Sequence, residues 1–415
     1  MESADLSALG RRARDAARVV ASASSALRDD ALTQAAELLE GETEAILAAN
    51  QRDRRRGLEQ GLSDAALDRL TLTGPRIAAM AAGLRDVAAL ADPVGEVVDG
   101  WRRPNGLNVS RVRVPLGVVG VIYENRPNVT SDAAALCLKA GNAAFLRGSS
   151  GALASNQAIV SVLRRALAKA GLPEDAVVLV EDTSRETAVE FMRLRGLIDC
   201  LVPRGGRELV ATLVEHATVP YVLDGDGNCH VYVDAAADLG MAEEIVVNAK
   251  TQRPGVCNAA ETLLVHRDIA GEFLPRVARA LDGVELVGDE RVREVLPDVA
   301  PATDEDFATE FLALKLAVGV VDDLDAAIAH IDRYGSGHSE VIVTGDVATA
   351  ERFVALVDAA AVLINASSRF IDGAELGLGA EVGISTQKLH ARGPMGVREL
   401  TCLKWVVRGE GQVRR

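Results

Sequence analysis

The stretch NVSRVRVPLGVVGVIYENRPNVTSDAAALCLKAGNAAFLR (108–147) decides the fold of this chain. Its first part alternates apolar and polar residues and is rich in β-branched side chains, which predicts two strands, the second of them buried. The pattern then predicts a helix over Thr130–Ala140 and another buried strand over Ala143–Arg147. Strands that alternate with helices in this way form a mainly parallel sheet with helices on both faces.

The same alternation continues downstream in two series. The first series predicts helices over Leu153–Ala170 and Thr187–Leu194 and strands over Ala176–Val180 and Asp199–Val202. The second series predicts a helix over Met241–Lys250 and strands at HVYVD (230–234), ETLLVH (261–266), LAVGVV (316–321) and EVIVTG (340–345). Because strands alternate with helices in both series, we predict an α/β protein. Because 415 residues exceed the size of one ordinary core, we predict that it has two doubly wound parallel-sheet domains, the second starting near residues 224–229.

The two ends of the chain follow other patterns. Residues 8–49 have helical spacing, and the pattern continues through Val87 after breaks at Gly61 and Gly74-Pro75, which predicts a helical layer before the first strand. The piece LTCLKWVV (400–407) is strand-like and follows a Gly-rich stretch. Since one strand cannot complete a domain, we expect it to pair with another subunit.

Composition excludes several classes of protein. A net charge of −15 disfavours binding to nucleic acid. The N-terminal stretch is charged throughout and no apolar run reaches the length of a bilayer span, so we expect a cytoplasmic protein that does not enter a membrane. The five cysteines and six histidines are scattered, without CxxC or HExxH spacing, and they indicate neither a disulfide framework nor a metal site.

The segment NAKTQRPGVCNAAET (248–262) is the most informative part of the sequence for chemistry. A Pro-Gly pair interrupts a helix just before Cys257 and leaves the cysteine in irregular backbone with amides able to donate hydrogen bonds. Lys250 and Arg253 are close enough in sequence to stabilise a thiolate. The alternative is that Cys257 is a buried, inert side chain, as a lone cysteine of an intracellular protein commonly is.

Two further segments could bind ligands at the carboxyl edge of a sheet. Asn128 follows a buried strand and precedes a helix, where its amide could donate to a developing oxyanion or merely cap a turn. The turn PRGG (203–206) lies between a strand and a helix. Its glycines would let backbone amides approach a phosphate, or they would simply form a tight turn. Neither GxGxxG after the first strand nor GxxxxGK[ST] is present.

Five blocks of the sequence carry a resemblance to a known family. The blocks are YENRPNVTSDAAALCLKAGN (123–142), VPRGG (202–206), VNAKTQRPGVCNAAETLLV (247–265), INASSRF (364–370) and GLGAEVGISTQKLHARGPMG (377–396). They closely resemble blocks of the γ-glutamyl phosphate reductases, or glutamate-5-semialdehyde dehydrogenases, of proline biosynthesis, a branch of the aldehyde dehydrogenase superfamily. The match runs in order from DPVGEVVDG (92–100) onward.

The resemblance implies an aldehyde dehydrogenase-like architecture with a small β oligomerisation element. The implied cofactor-binding domain comprises residues 1–106 and 117–228 and a returning segment, 377–399. The implied catalytic domain comprises residues 229–376. Residues 107–116 and 400–410 would form the oligomerisation element of a homodimer or homotetramer, which gives the strand LTCLKWVV a role.

The resemblance also implies the catalytic residues. Cys257 takes the position of the nucleophile, and Asn128 takes that of the asparagine which forms the oxyanion hole with the backbone amide of Cys257. Hydrolytic aldehyde dehydrogenases carry a general-base glutamate ahead of the cysteine, but Leu223 is nearest that position here and only Asp224 is adjacent. The absence of this base suits an enzyme whose thioester exchanges with phosphate instead of water.

The family further implies NADP(H) as cofactor. Arg147 takes the position of a lysine that contacts the adenosine ribose, and Gly205 and Gly206 take that of the pyrophosphate turn. Glu310 matches the glutamate that binds the nicotinamide ribose.

For the substrate, Arg369 lies in the segment that the superfamily uses as an anchor loop, and its guanidinium suits an α-carboxylate. Arg126, Lys139 and Arg253 are candidates for the substrate phosphate. Each of these four residues could instead form a surface or structural ion pair.

The implied reaction is the NADPH-dependent reduction of L-glutamyl 5-phosphate to L-glutamate 5-semialdehyde and phosphate through a cysteine thioester. Glutamate 5-kinase would supply the acyl phosphate. Two alternatives stay open: a hydrolytic or CoA-linked aldehyde dehydrogenase of the same fold, and an inactive scaffold for the kinase.

Overall fold

The computed structural model describes residues 5–414 and divides into two compact units. Unit 1 contains the chain up to Leu223, Gly377–Gly383 and the chain from Met395, whereas unit 2 contains Asp224–Leu376 and Ile384–Pro394. Of the segment 377–399, the structure thus groups the middle part with unit 2. The physical reason is that Ile384 packs into the core of unit 2.

Unit 1 begins with a helical layer. This layer consists of α1 (Leu6–Ser22), α2 (Ser25–Gly41), α3 (Thr43–Glu59), α4 (Asp64–Leu70) and α5 (Gly74–Ala89). The later helices of unit 1 are α6 (Asn128–Lys139), α7 (Leu153–Ala170), α8 (Arg185–Phe191) and α9 (Arg207–His216). Side chains cap several of them at the N-terminus: Ser24, Ser63 and Thr73 each accept a backbone N–H of the helix that follows. The Gly74-Pro75 break in the sequence pattern is therefore the start of α5.

A parallel sheet forms the core of unit 1. The strands before residue 205 are β1 (Val97–Arg102), β2 (Asn108–Pro115), β3 (Val118–Tyr123), β4 (Ala143–Arg147), β5 (Val177–Leu179) and β6 (Cys200–Arg204). The last four form a parallel sheet in the order β5-β4-β3-β6, and every residue of β3 and β4 is buried. This confirms the predicted doubly wound pattern and brings the ends of β3, β4 and β6 to one edge.

Unit 2 is built on a larger parallel sheet. Its helices are α10 (Leu239–Thr251), α11 (Arg267–Ala280), α12 (Glu290–Val295), α13 (Asp304–Phe307), α14 (Leu324–Tyr334) and α15 (Val347–Leu356). Its strands are β7 (Cys229–Val233), β8 (Ala260–His266), β9 (Glu285–Gly288), β10 (Ala300–Pro301), β11 (Lys315–Val321), β12 (Ser339–Val343), β13 (Ala361–Ile364), β14 (Ile384–Ser385) and β15 (Gly393–Pro394). The sheet order is β10-β9-β11-β8-β7-β12-β13, and β14 and β15 form a separate antiparallel pair. Apolar clusters cover both faces of the large sheet.

The C-terminal strand β16 (Thr401–Arg408) completes an antiparallel sheet in unit 1 with the order β1-β2-β16. The strand β16 pairs with β2 of the same chain over its whole length, whereas the sequence pattern predicted pairing with another subunit. The other edge of β2 pairs with β1, which is the third strand of this sheet. One face exposes the rings of Trp101 and Trp405, which meet edge to face with centroids 5.6 Å apart. That this element joins subunits stays a prediction.

Between residues 5 and 414, no helix has both the length and the apolar composition needed to cross a membrane. Within the same range, no three His, Cys, Asp or Glu side chains are arranged as metal ligands.

Candidate functional site

Cys257 lies half-buried in the loop that joins α10 to β8. The next residue fixes this loop in place. The Asn258 side chain donates to the carbonyl of Ile371 at 2.8 Å, and the Ser368 hydroxyl donates to the carbonyl of Asn258 at 2.6 Å. Because Asn258 and Ser368 are buried, the backbone that carries the thiol is held firmly, while Cys257 itself is only half-buried against the core of unit 2.

The chain entering β7 packs directly against the backbone of Cys257. A Cβ added at Gly227 would overlap the carbonyl oxygen of Cys257, so only glycine fits at this position. Two residues later, the thiol of Cys229 donates to the same carbonyl oxygen at 3.2 Å. Burial raises the pKa of Cys229 well above its usual value, which keeps this thiol protonated and available as a donor.

The close approach of Gly227 gives a first testable prediction. We expect Gly227→Ala to displace the cysteine loop and to lower turnover by about 100-fold, the order of loss that a shift of about 1 Å at a reacting group causes. The melting temperature should fall as well, since the contact is in the interior. Steady-state kinetics and thermal unfolding measure the two effects.

The matched control is Gly271→Ala in α11. Nothing lies within 4 Å of a Cβ at that position, and alanine favours a helix over glycine by up to about 1 kcal/mol. The control should keep full activity and an equal or higher melting temperature. Wild-type behaviour of Gly227→Ala would show that the loop can move without loss.

Glu310 also lies at the entry to β7. Its carboxylate accepts the backbone N–H of Gly227 at 2.9 Å. Because Gly227 contacts the Cys257 backbone, unit 2 brings Glu310 and Cys257 into one neighbourhood. The predicted nucleophile and the predicted cofactor residue thus share a common backbone support.

Two predicted substrate residues, Arg253 and Arg369, also lie near the thiol in unit 2. The guanidinium of Arg369 donates to the Gln252 side chain at 2.8 Å and lies within electrostatic range of Arg253 and Cys257. Burial lowers the pKa of Arg369, the charge of Asp372 opposes this shift, and the charge of Arg253 adds to it. A guanidinium stays charged in proteins, so this pair favours an anionic ligand. A cavity of about 200 Å³ adjoins Arg369 and is lined also by Asn248, Gln252, Phe370, Asp372 and Glu375.

Unit 1 places Asn128 at the carboxyl end of β3, as the first residue of α6. The Asn128 side chain makes no cap; its amide donates to Asp132, one turn later, at 2.9 Å. An amide nitrogen carries two hydrogens, so this bond orients the group and leaves its second N–H available. Arg126 is half-buried in the same loop.

The predicted cofactor residues of unit 1 also lie at this edge of the sheet. Arg147 is 9% exposed, and its guanidinium donates to the carbonyls of Thr183 and Ser184 at 2.7 and 2.8 Å. At the glycine turn, the amide of Gly206 donates to the Glu124 carboxylate at 3.0 Å. A Cβ at Gly205 would lie 2.6 Å from the same carboxylate. The turn therefore binds an anionic oxygen through its backbone.

Lys139 corrects one of the predictions. The residue is 1% exposed, and its ammonium donates to Asp29 at 2.6 Å and to the carbonyl of Ala88 at 2.8 Å. These partners come from the N-terminal helical layer, so Lys139 joins α6 to that layer and is not placed to bind a substrate phosphate. The sequence could not show this, because Asp29 precedes Lys139 by 110 residues.

The sequence predicted that Lys250 stabilises the thiolate of Cys257, but in the structure Lys250 binds a different group. It is fully buried, and its ammonium donates to the Glu261 carboxylate at 2.5 Å. Lys250, Glu261, Gly227 and Cys229 are the residues around the cysteine loop whose structural importance the sequence patterns did not show.

Two parallel α/β sheets, with a half-exposed cysteine held between a helix and a buried strand, define the class of protein. The chain belongs to the aldehyde dehydrogenase family, whose sequence profile matches residues 1–314. Within that family it belongs to the γ-glutamyl phosphate reductases. The γ-glutamyl phosphate reductase of Moorella thermoacetica is 59% identical over 408 residues, which cover 98% of each chain.

Solved structures agree with this placement. The crystal structure of γ-glutamyl phosphate reductase from Thermotoga maritima superposes with a TM-score of 0.97 and 48% identity, over 99% of this chain and all of that one. An engineered glycolyl-CoA reductase with bound NADP⁺ shares the fold, with a TM-score of 0.69, 17% identity, and coverage of 96% of this chain and 93% of that one. The predicted fold class and family are thus confirmed.

Proposed function

We propose that this γ-glutamyl phosphate reductase, an oxidoreductase of proline biosynthesis, reduces L-glutamyl 5-phosphate to L-glutamate 5-semialdehyde through a thioester on Cys257. The observation that carries the residue assignment is the position of Cys257, half-exposed on a backbone that Gly227, Cys229 and Ser368 hold in place. A nucleophile on a fixed loop is what covalent acyl transfer requires.

In the first step, the thiolate of Cys257 attacks the acyl carbonyl and the C–O bond to phosphate breaks after a tetrahedral intermediate. The Asn128 amide and the backbone N–H of Cys257 are the proposed donors to the oxyanion. The departing phosphate carries away the electron pair of the broken bond. Arg253 and Arg126 are the proposed partners of this phosphate, and Arg369 that of the substrate α-carboxylate.

The residues of unit 1 fit a dinucleotide cofactor, and we propose NADPH. The backbone amide at the glycine turn already binds a carboxylate oxygen, the chemistry that a pyrophosphate needs, and a Cβ at Gly205 would crowd the side chains of Glu124 and Leu209. Arg147 supplies a positive charge at the same sheet edge. The cofactor, when bound, supplies the hydride that reduces the thioester. Glu310 would hold its nicotinamide ribose, and collapse of the reduced adduct returns the Cys257 thiolate.

Hydrolytic aldehyde dehydrogenases carry a general-base glutamate at a position where this chain has Leu223 and Asp224. These residues favour phosphate over water as the acceptor of the acyl group. Leu223 cannot accept a proton, and the adjacent Asp224 accepts the backbone N–H of Ile384 at 2.8 Å. A carboxylate that orients a backbone turn is less available to activate a water molecule. This favours a reductase over a hydrolytic enzyme of the same fold.

Running the reaction backwards tests the proposed function. With glutamate 5-semialdehyde in equilibrium with its cyclic form, we expect continuous reduction of NADP⁺ only when phosphate is added, because phosphate is the acceptor of the acyl group. Product formation without phosphate would indicate a hydrolytic enzyme. A requirement for CoA would indicate a CoA-linked one, and no turnover would indicate the inactive scaffold.

We also propose two kinds of partner. Glutamate 5-kinase would supply the labile acyl phosphate, through transient contact at most. The exposed face around Trp101 and Trp405 would join copies of the chain as a homodimer or homotetramer, since a monomer rarely exposes two tryptophan rings side by side.

A further inference from the structure

We propose that Glu261 is a positioning residue, whose buried carboxylate holds the segment that carries Glu310 against the loop that carries Cys257, and that Lys250 is its buried counter-charge. The inference rests on the proposed function in one respect, since it takes Glu310 as a cofactor residue. Neither side chain is exposed, so the pair acts through the backbone it holds.

The pair joins the two ends of the cysteine loop. Lys250 lies in the last turn of α10, seven residues before Cys257, and Glu261 is the second residue of β8, four residues after it. Their charged groups meet at 2.5 Å, and both side chains are completely buried. The loop is therefore closed at its base by an ion pair that no solvent screens.

The second oxygen of Glu261 reaches the Glu310 segment. It accepts the backbone N–H of Leu312 at 3.2 Å. Leu312 has a φ of 53°, a left-handed conformation that is uncommon for a residue with a Cβ and that needs support from its surroundings. Because Glu310 is two residues earlier and itself accepts the N–H of Gly227, one buried carboxylate links the cysteine loop to the Glu310 segment.

Energetics favour a positional role over a stabilising one. A buried ion pair loses most of its attraction to the cost of desolvation, and apolar replacements of such pairs are often neutral or stabilising. Burial raises the pKa of Glu261 to about 7 and lowers that of Lys250, which shows the cost at this site. A buried carboxylate that costs desolvation while it accepts the N–H of a residue with a positive φ is best explained by the geometry it imposes.

Two double variants separate the hydrogen bond from the charges. Lys250→Met with Glu261→Gln removes both charges but keeps an oxygen for the Leu312 N–H. Lys250→Met with Glu261→Leu removes that oxygen as well. We expect the Gln variant to bind NADPH with a Kd within about twofold of wild type, and the Leu variant to bind about tenfold more weakly, within the range that misplacement of a contact group causes. Fluorescence titration of NADPH measures both constants without turnover.

Thermal unfolding first checks that both variants fold, and a Glu310→Ala variant provides the reference. If the two double variants bind NADPH equally, the positioning role is wrong. If Glu310→Ala leaves the Kd unchanged, the proposed cofactor role of Glu310 fails instead, so the two failures are distinguishable. If the Leu variant unfolds, the comparison passes to Lys250→Met with Glu261→Ala, which also removes the oxygen that accepts the Leu312 N–H. This variant should bind NADPH about tenfold more weakly than the Gln double variant, and equal binding would overturn the proposal.

Discussion

Turnover of γ-glutamyl phosphate should fall by at least about 10⁴-fold in Cys257→Ala, because removal of a nucleophile abolishes the covalent route and leaves only binding and oxyanion stabilisation. The same loss should occur in the reverse assay with NADP⁺, semialdehyde and phosphate. The fold should be retained, since alanine removes only one sulfur atom from a half-buried side chain and the backbone contacts remain. A spectrophotometric assay of NADPH consumption, run at high enzyme concentration, covers the required range.

A pre-steady-state measurement makes this test specific for the thioester. Without phosphate, the wild-type chain should release a burst of NADPH equal to the number of active sites and then stop, because the acyl group stays on Cys257. Cys257→Ala should show no burst. Cys402→Ser is the matched control, since that thiol is exposed on β16, and it should give the full burst. Near-normal turnover of Cys257→Ala would rule out the covalent mechanism.

Asn128→Ala should slow thioester formation by about 100- to 1000-fold, the usual loss when one oxyanion donor is removed. The effect should fall on the burst rate and leave the Kd for NADPH close to wild type, since Asn128 is proposed to contact the reacting carbonyl and not the cofactor. Stopped-flow measurement of the burst gives the rate directly.

The control for Asn128 is its own hydrogen-bond partner. Asp132→Asn keeps a side chain that can accept the Asn128 amide at its present 2.9 Å, so we expect a loss of less than about tenfold. A loss below fivefold in Asn128→Ala would mean that another group stabilises the oxyanion. A fall in NADPH affinity would assign Asn128 to cofactor binding.

The sheets of this protein follow from local patterns in the sequence. The helix predicted over Leu153–Ala170 has these same bounds as α7, and the buried strand predicted over Ala143–Arg147 is β4. Both are long or strongly apolar segments in which period and burial agree. The end of α6 shifted by one residue, to Lys139, because helix ends depend on local caps that periodicity does not describe.

Contacts between distant segments could not be predicted in this way. No pattern in residues 224–228, DGDGN, indicates that Gly227 would lie on the carbonyl of Cys257, thirty positions later, since the contact exists only after β7 and β8 pair. Lys139 looked like a basic residue at a ligand-binding edge, but its partner Asp29 comes from a different helix. The resemblance to a family supplied the proposed roles of Cys257 and Glu310, whereas the contacts that hold their backbone became visible only in the structure.

The close fit at position 227 also has a genetic meaning. Every amino acid except glycine has a Cβ, so every missense change in this codon would place a carbon atom against the carbonyl of Cys257. In a bacterium with no other route to proline, such alleles would produce auxotrophs that grow only when proline is supplied. Second-site revertants would then map to the segments that contact the cysteine loop, which offers a way to find its supports by selection.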